Sequence, residues 1–399
     1  MGFSGLVSAG FVVTSLIAHQ DTGLLRGTHT HAHAHTHSRC SSRLHSQLSQ
    51  KQIQDMQERY LDPLLQKAGL SLDGVSVEKL SNLGFANNVF RIVVDVADHN
   101  NHAKISQILV AKIFSELAKK RVDPHQHFMG EVDELLYTNG IGPRVIAHTP
   151  DALLMEYIEG QVLTEKMIFD DKTGKQEGLS ICRSVGKCLG RMHTLPGNGG
   201  PNRLWHSMDV LLSSVDETSQ LSTDQGNLWS LGKLQDTVGS YRNQLEGLDV
   251  RTVQVGHGDF KLSNVMITDT VQEIKFIDFE LSGTHYRGYD LAKFFRSAKE
   301  SSIEQSTFRY HQRAFWESYC QHIELVNNDH SILSEAELDK TVTTLEWEAQ
   351  LLEPMTWLEA ASFFLSMAAL DDPMEKDKWE TLARSRLSSF ESTRLAVNS

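Results

Sequence analysis

Residues 255–295 read VGHGDFKLSNVMITDTVQEIKFIDFELSGTHYRGYDLAKFF, and this stretch decides the fold. Asp259 lies in a polar loop, and Asp278 follows the mostly apolar run 274–277. The runs 265–267 and 274–277 predict a short β-hairpin, because polar residues separate two short apolar stretches. A hairpin of this size would bring Asp259, Asn264 and Asp278 into one small volume.

These three residues would form a site of hard oxygen ligands, which suits Mg²⁺ that carries phosphates. Their spacing matches a protein-kinase catalytic segment, with an Asp, four residues, an Asn, and then an Asp-Phe-Gly. Asp278-Phe279-Glu280 takes the place of the last motif. The alternative to a catalytic segment is that two acidic turns simply lie beside an ordinary hairpin. Both motifs in the right order argue against it.

The same stretch resembles the choline/ethanolamine kinase family more closely than the protein kinases. The family loop runs His-Asn-Asp-x-x-x-x-Asn, and its second motif runs Ile-Asp-Phe-Glu-Tyr and then Asn-Tyr-Arg-Gly-Phe-Asp. Residues 257–264, 277–281 and 285–290 match these motifs in order. The resemblance extends over about residues 75–391. It implies a protein-kinase-like fold with a small β-rich amino-terminal lobe and a larger helical carboxy-terminal lobe.

The resemblance also implies roles for the residues of the segment. Asp259 orients and deprotonates the substrate hydroxyl, and Asn264 and Asp278 hold Mg²⁺. Glu280 lies near the metal or the substrate. Arg287 steadies the loop carboxylates and belongs to the substrate site.

The loop departs from the family at two positions. Lys261 replaces the usual Gln and matches the lysine two residues past the catalytic Asp of protein kinases, so it is expected to reach the γ-phosphate. Gly258 replaces Asn, as in some aminoglycoside kinases. Phosphoryl transfer is mostly positioning and charge neutralisation, so acids, a metal and lysines are the groups it needs.

A later departure concerns the substrate. A family segment ending in Phe-Phe-Trp-x-x-Trp aligns with this chain, but Leu365 and Ala368 replace both tryptophans. In the family these rings enclose a quaternary ammonium by cation–π contact. We therefore expect ethanolamine to be favoured over choline. Tyr289 and Trp357 are the rings that could compensate, although each also fits a core position.

The amino-terminal lobe supplies candidates for ATP binding. Gly84 and Asn88 lie where kinases cover the phosphates with a loop, although any hairpin turn favours Gly and Asn. Lys112 interrupts the apolar strand 108–114. Because an unpaired buried ammonium is costly, it predicts a phosphate-binding lysine with a carboxylate partner. A solvent-facing lysine on an edge strand is the alternative.

The partner of Lys112 is expected on a helix at residues 130–138. Glu131 is preferred because it lies further from the C-terminal end of that helix, and Glu134 stays open. The strand 152–160 resembles the hinge between kinase lobes, where adenine would bond backbone groups of Glu156 and Ile158.

Hydrophobic periodicity predicts the other elements. Helices are expected at residues 50–70, 178–195, 228–245, 289–297, 304–326, 335–352, 355–370 and 377–387, and strands at 75–96 (two strands) and 144–147. Strands come first and helices later, which indicates an α+β protein. The domains are predicted as lobes at 49–158 and 159–399.

Residues 1–48 differ in composition, with histidines alternating with Thr and Ala at positions 29–37. A low-complexity, disordered extension is the preferred interpretation, and a targeting leader in residues 1–25 stays open. No stable membrane span is expected, because the apolar run there is short. The four cysteines form no dense framework, so a reducing, cytoplasmic location is expected.

The net charge of −13 without a basic stripe argues against a nucleic-acid partner and suits a cationic small substrate. The resemblance implies an ATP- and Mg²⁺-dependent kinase of choline or ethanolamine in phospholipid head-group synthesis. Two alternatives stay open: a kinase of another small hydroxyl compound, similar to the aminoglycoside kinases, and a kinase-fold binding protein without turnover. The sequence also leaves a homodimer open.

Overall fold

A computed structural model describes residues 50–72, 74–80, 87–97, 104–122, 131–169, 175–197, 199–248, 250–268, 273–299, 303–327, 333–370 and 373–398. The leader predicted at residues 1–48 and the candidate Gly84 lie outside these ranges. Within the described ranges, no helix is both long and apolar enough to cross a membrane.

Helices and strands occur in both halves of the chain. The first half contains α1 (Gln50–Met56), a π-helical turn (Gln57–Leu61), α2 (Asp62–Lys67), β1 (Ser76–Lys79), β2 (Asn87–Ala97), β3 (Lys104–Phe114), α3 (Glu116–Arg121), α4 (Glu131–Thr138), β4 (Val145–His148), β5 (Ala152–Glu156), β6 (Gly160–Val162), α5 (Glu165–Phe169) and α6 (Lys175–His193). The second half contains α7 (Arg203–Ser213), β7 (Gln220–Ser222), β8 (Leu228–Ser230), α8 (Leu231–Glu246), β9 (Thr252–Gly256), β10 (Val265–Thr268), β11 (Ile274–Phe276), β12 (Gly283–Tyr286), α9 (Arg287–Lys299), α10 (Gln305–Asn327), α11 (Glu335–Leu370) and α12 (Lys376–Asn398).

The chain divides into two compact units. The first contains the described residues of Met1–Ser115 and of Val145–Tyr157, and the second contains those of Glu116–Arg144 and of Ile158–Ser399. The sheet-rich first unit and the mostly helical second unit agree with the predicted α+β class. The predicted boundary assigns α3 and α4 to the first lobe, but both group with the second unit. The reason is packing, since Leu136 of α4 is buried in the largest core cluster of that unit.

The first unit is built on an antiparallel sheet with strand order β1-β2-β3-β5-β4. Alternation along β2 places Phe90, Ile92 and Val94 on one face, as expected for a half-buried strand. Leu61 and Leu64 of the preceding helical segment pack on that face. This burial explains why the segment forms although its π-helical turn interrupts the α-helix.

The second unit combines long helices with three small antiparallel sheets, β11-β10-β6, β12-β9 and β7-β8. Helix α11 packs against α9 and α12, and α6 packs against α10. The β10–β11 hairpin pairs Val265 with Phe276 and Ile267 with Ile274, which confirms the hairpin expected from the apolar runs.

Three expected elements are wrong in detail. The predicted helix 228–245 begins with β8, and the helix starts only at Leu231, where the Ser230 hydroxyl caps the N–H of Lys233. The predicted strand 152–160 divides into β5 and β6, which belong to different sheets. Gly160 is required there, because a Cβ atom would lie 2.3 Å from the carbonyl oxygen of Ile267.

The third difference is that α11 runs unbroken through Pro354, where two helices are expected. Proline removes one backbone hydrogen bond and usually ends or kinks a helix. In α11, residues 351–362 on both sides of the proline are buried, so tertiary packing outweighs the local cost.

Candidate active site

The catalytic loop predicted from the sequence lies between β9 and β10, and a 3₁₀ turn at Leu262–Asn264 closes it. The Asn264 amide nitrogen donates to the backbone oxygen of Asp259 at 2.9 Å and to its Oδ2 at 3.2 Å. The Asn264 amide oxygen therefore points away from Asp259. This arrangement fixes both side chains relative to the loop backbone.

Asp278 follows the hairpin and is brought close to this loop. The N–H of Ile277 donates to the backbone oxygen of Asn264 at 3.0 Å. Asp278 is the next residue along the chain, so this hydrogen bond holds it near the loop. Its φ of 72° makes it the single non-glycine residue in the left-handed region among the described residues. Such a conformation is costly for a residue with a Cβ and is typical of functional sites, where Asp tolerates it better than most.

The Asp259 carboxylate is held by two lysines. Lys293 Nζ lies 2.8 Å from Oδ1, and Lys261 Nζ lies 3.0 Å from Oδ2. Burial alone would raise the pKa of Asp259, but the charges and hydrogen bonds of the two lysines bring it well below its usual range. Asp259 is therefore ionised at neutral pH, and 19 % of its side chain is exposed.

Asp290 anchors the loop from beneath. It is fully buried and accepts the N–H groups of His257 at 2.7 Å and of Gly258 at 2.8 Å. Its Oδ2 also lies 3.1 Å from Nε2 of His193. Burial would raise the pKa of Asp290, but the hydrogen bond and charge of His193, with other nearby histidines, lower it to about 2. A fixed carboxylate thus holds two consecutive backbone amides.

His257 connects the loop to the strand before Asp278. Its Nε2 lies 3.1 Å from the backbone oxygen of Ile277, and its ring packs against Phe260 and Phe279. Burial lowers the pKa of His257, although nearby carboxylates oppose the shift, so the ring is neutral and donates this hydrogen bond. Loop and strand therefore keep one relative position.

The carboxylate that Arg287 contacts is Glu348, on α11, rather than a loop carboxylate. Arg287 Nε and Nη2 donate to the two Glu348 oxygens at 2.6 and 2.7 Å, and both side chains are buried. The expectation that Arg287 steadies the loop is therefore wrong. Lys293, six residues later on α9, makes that contact instead.

The two rings proposed as substrate walls are both interior. Tyr289 is 1 % exposed and Trp357 is 3 % exposed. Lys293 Nζ lies 5.4 Å from the Tyr289 ring centroid. The guanidinium carbons of Arg296 and Arg386 lie 4.8 and 5.4 Å from the Trp357 ring centroid. Each ring thus already has a protein cation beside it.

The candidate nucleotide residues are distributed over both units. Lys112 is 7 % exposed and lies on β3, between β2 and β5, so the solvent-facing edge-strand alternative is wrong. Asn88 pairs with Ile113 across β2 and β3, and Glu156 ends β5. Ile158 is the first residue of the second segment of the second unit.

Glu131 and Glu134 are both exposed on α4, in the second unit. The pairing of Lys112 with Glu131 or Glu134 stays a prediction.

The metal ligands expected from the sequence are all oxygen donors. Asn264 offers its amide oxygen, and Asp278 and Glu280 are half-buried carboxylates separated by one residue. Mg²⁺ prefers such ligands and usually takes only one or two carboxylates from the protein, with phosphates completing its shell. In the part of the chain that is described, no three His, Cys, Asp or Glu side chains form a separate metal-binding group.

Sequence reasoning missed three residues of this site. Glu359 Oε2 lies 3.2 Å from Lys293 Nζ, so Glu359 also belongs to the site. Lys293 and Glu359 each interrupt an apolar helical run, which is the same signal that predicts a role for Lys112. Asp290 is the last residue of the second motif, but the motif alone does not indicate that this carboxylate holds the loop amides.

Comparisons with known proteins identify relatives by family and by fold. The family model described as choline/ethanolamine kinase matches residues 77–389. A choline/ethanolamine kinase of Mus musculus is 24 % identical over 166 residues, which cover 40 % of each chain. The chain thus spans about two fifths of the length of the curated relatives it matches.

Solved structures of similar fold include an ethanolamine kinase of Plasmodium vivax, with a TM-score of 0.59 and 16 % identity, covering 85 % of this chain and 88 % of that one. A choline kinase of Cryptosporidium parvum has a TM-score of 0.54 and 14 % identity, covering 82 % and 91 % respectively. At these identities the likeness shows the kinase-like fold.

Proposed function

Because this chain belongs to the choline/ethanolamine kinase family, we propose that it transfers the γ-phosphoryl group of ATP to the hydroxyl of a small alcohol. The observation that carries this proposal is the Asp259 carboxylate. It is ionised, partly exposed and held between two lysines, and Asn264 donates a hydrogen bond to it. Asp278 directly follows Ile277, whose N–H donates to the backbone oxygen of Asn264. A hydroxyl that donates to Asp259 would be oriented for attack on a phosphoryl group.

The low pKa of Asp259 indicates how it acts. A weakly basic carboxylate removes a proton poorly from a neutral alcohol, but it accepts the hydroxyl hydrogen bond well. In a loose phosphoryl-transfer transition state the proton leaves late, so orientation matters more than early deprotonation. Asp259 therefore positions the acceptor oxygen first and takes its proton late.

The other charged residues neutralise phosphate. Asn264, Asp278 and Glu280 would hold Mg²⁺, which supplies charge neutralisation on the phosphate oxygens when bound. Lys261 is 41 % exposed and extends from the loop beside Asp259, so its ammonium can reach a γ-phosphate oxygen. Lys112 is the candidate for the α- and β-phosphates.

Between the two head-group alcohols, ethanolamine is the better acceptor. A trimethylammonium group depends on ring faces, and the rings of Tyr289 and Trp357 already face protein cations. Leu365 is 3 % exposed in the core, so it offers no wall either. A primary ammonium can instead donate hydrogen bonds to carboxylates. With ethanolamine as the acceptor, the product would be a phospholipid head-group precursor.

A kinase of another small hydroxyl compound is the second candidate. The observation that favours it is the buried ammonium of Lys293 directly beside Asp259, where a cationic acceptor would place its own charge. A binding protein without turnover would bind ATP and transfer nothing.

The test is ATP consumption by the purified protein with Mg²⁺, against ethanolamine, choline, uncharged and acidic alcohols and an aminoglycoside. Ethanolamine turnover above choline turnover, abolished by a chelator, is expected if the head-group proposal holds. Turnover of other alcohols alone would move the function to the second candidate. ATP binding without consumption for any acceptor would contradict phosphoryl transfer altogether.

A further inference from the structure

Lys293 is a buried ammonium that touches the candidate catalytic carboxylate. It lies on α9 within the apolar run Leu291–Phe295, and it is 2 % exposed. Its Nζ lies 2.8 Å from Asp259 Oδ1, 3.2 Å from Glu359 Oε2 and 3.2 Å from the backbone oxygen of Gly258. An ammonium has three N–H groups, so these three acceptors satisfy it completely.

Glu359, the second carboxylate beside Lys293, is itself held in place. It lies on α11, is 5 % exposed and also accepts a hydrogen bond from Arg121 Nη2. Arg121, likewise buried, donates from Nε to the Ser207 hydroxyl at 2.9 Å. Burial alone would raise the pKa of Glu359, but Lys293 and Arg121 lower it, so the carboxylate is ionised.

The surroundings of the Lys293 ammonium are those that proteins use to bind an ammonium ligand. Two carboxylates contact it, and the Tyr289 ring lies with its centroid 5.4 Å away. Carboxylates and an aromatic face are the groups that recognise organic cations. The place beside Asp259 that could bind a cation is therefore already filled by the chain's own lysine.

A cationic acceptor would meet like charge at this place. In ethanolamine the ammonium is two carbons from the hydroxyl, so a hydroxyl bonded to Asp259 brings the ammonium close to Lys293 and Lys261. Glu359 cannot offset the repulsion between the acceptor's ammonium and these lysines, because Lys293 and Arg121 already neutralise the Glu359 carboxylate. Both carboxylates of this cluster are already contacted by the chain's own cations, Asp259 by Lys261 and Lys293 and Glu359 by Lys293 and Arg121. Neither is left to pair with a further cation, which disfavours a cationic acceptor.

We propose that Lys293 takes the place of an acceptor's cation, and that the preferred acceptor is an alcohol with no positive charge beside its reacting hydroxyl. This choice of acceptor rests on the proposed phosphoryl transfer, and the cation-excluding role of Lys293 rests on geometry alone. An acceptor of this class ranks above ethanolamine, and ethanolamine ranks above choline.

The first test compares acceptors with one carbon skeleton on the unmodified protein. Ethanolamine, ethylene glycol and glycolate share a two-carbon alcohol and differ in the charge at the other end. The kcat/KM for ethylene glycol or glycolate is expected to exceed that for ethanolamine by at least about tenfold. An equal or higher kcat/KM for ethanolamine would overturn the proposal.

The second test removes the ammonium with Lys293→Met, which keeps an unbranched side chain as far as the ε position. The ratio of kcat/KM for ethanolamine to that for ethylene glycol is expected to rise at least about tenfold. Added ethylammonium is expected to restore ethylene glycol turnover, because the small cation fills the vacated place. Lys293→Arg should keep the original order of acceptors. An unchanged ratio without rescue would contradict the proposal.

Lys233→Met is the matched control for these measurements. Lys233 also lies over an aromatic ring, 4.4 Å from the Trp229 centroid, but on α8. It should leave the acceptor ratio unchanged and show no response to ethylammonium. A response equal to that of Lys293→Met would mean that the effect is not specific to the site.

A binding measurement separates this proposal from the proposed function. If the unmodified protein phosphorylates no alcohol, the proposed function fails. The binding of ethylammonium, measured by calorimetry, then still tests whether Lys293 excludes a cation. Binding to folded Lys293→Met but not to the unmodified protein supports the cation-excluding role, and equal binding or none overturns it. Circular dichroism establishes that the variant is folded. The acceptor ranking is measured on the unmodified protein, so it tests the proposal even if the variant does not fold.

Discussion

At the scale of single residues, the site depends on carboxylates whose surroundings differ. Asp259 is partly exposed between two lysines, whereas Asp290 is fully buried among backbone amides and histidines. Asp278 is set apart by its backbone, with a φ of 72°. Asp290 anchors the loop. The differences are consistent with the proposed roles of the other two acids, in which Asp259 would position the acceptor and Asp278 would bind the metal.

Replacing Asp259 by Asn is expected to lower kcat by about 10²–10⁴-fold while the protein stays folded. The amide keeps the shape but loses the charge that orients the hydroxyl and takes its proton. Lys293 retains Glu359 as an ionic partner, which limits the structural effect. Steady-state kinetics measure the loss, and Asp209→Asn, at a 60 % exposed side chain, is the control. Near-normal turnover would remove Asp259 from the mechanism.

Replacing Asp278 by Gly separates its chemistry from its strain. Glycine adopts positive φ without steric cost, although it loses more backbone entropy on folding, so the free energy of unfolding should stay equal or rise by up to about 1 kcal/mol. Turnover should nevertheless be lost, because a candidate Mg²⁺ ligand is removed. Urea unfolding and kinetics on the same preparation test both parts. If the variant is active at normal Mg²⁺ concentrations, Asp278 is not a required ligand.

Asp290 should make stability depend on acidity. A carboxyl whose pKa falls from about 3.9 in the unfolded chain to about 2 when folded stabilises the fold by roughly 2–3 kcal/mol above pH 4. That contribution is lost as the pH falls from about 4 towards 2. Asp290→Asn is therefore expected to lower the unfolding free energy by about that amount at pH 7, with a smaller difference at pH 3. Urea unfolding of both proteins at pH 7 and pH 3 measures the difference. A difference that is the same at both pH values would contradict the assignment.

At the scale of elements, α9 and α11 are joined by a buried ion pair at close range. Arg287 at the start of α9 binds both oxygens of Glu348 on α11. Gly288 allows this approach, because a Cβ atom there would lie 2.8 Å from backbone atoms of Glu348. The same two helices carry Lys293 and Glu359, so the pair sets the geometry beside Asp259.

Removing one member of this pair should cost about 3–5 kcal/mol of unfolding free energy, because it leaves the other charge buried alone. Arg287→Met and Glu348→Leu are expected to destabilise separately, and the double variant should lose much less than the sum of the two. Thermal and urea unfolding of all three complete the cycle. Additive losses would mean that the two side chains act independently.

At the scale of the whole molecule, we expect activity to reside in the two units rather than in the leader. A chain that begins at residue 49 should keep kcat and KM within about twofold, since the sequence of residues 1–48 contains no catalytic motif. The comparison uses full-length and shortened proteins at equal ATP and Mg²⁺. A large loss of kcat in the shortened protein would give the leader a direct part in catalysis.

The sequence by itself determined the parts of the site that are close along the chain. The spacing of Asp259 and Asn264, and the hairpin that leads to Asp278, follow from short apolar runs and polar turns, so local patterns suffice. The α+β class followed for the same reason, because periodicity distinguishes strands from helices. The two motifs also indicate the family, which the match over residues 77–389 confirms.

Only the tertiary structure decided which charges meet. Lys293 and Glu359 come from two helices far apart along the chain, and Arg121 comes from a third, so no local pattern relates them to Asp259. Arg287 is the opposite case. Its place in the motif suggested a contact with the loop carboxylates, but its position on α9 directs its side chain to Glu348. A buried charge can be recognised from its apolar neighbours in sequence, but its partner depends on how the helices pack, because burial makes pairing obligatory without specifying the other residue.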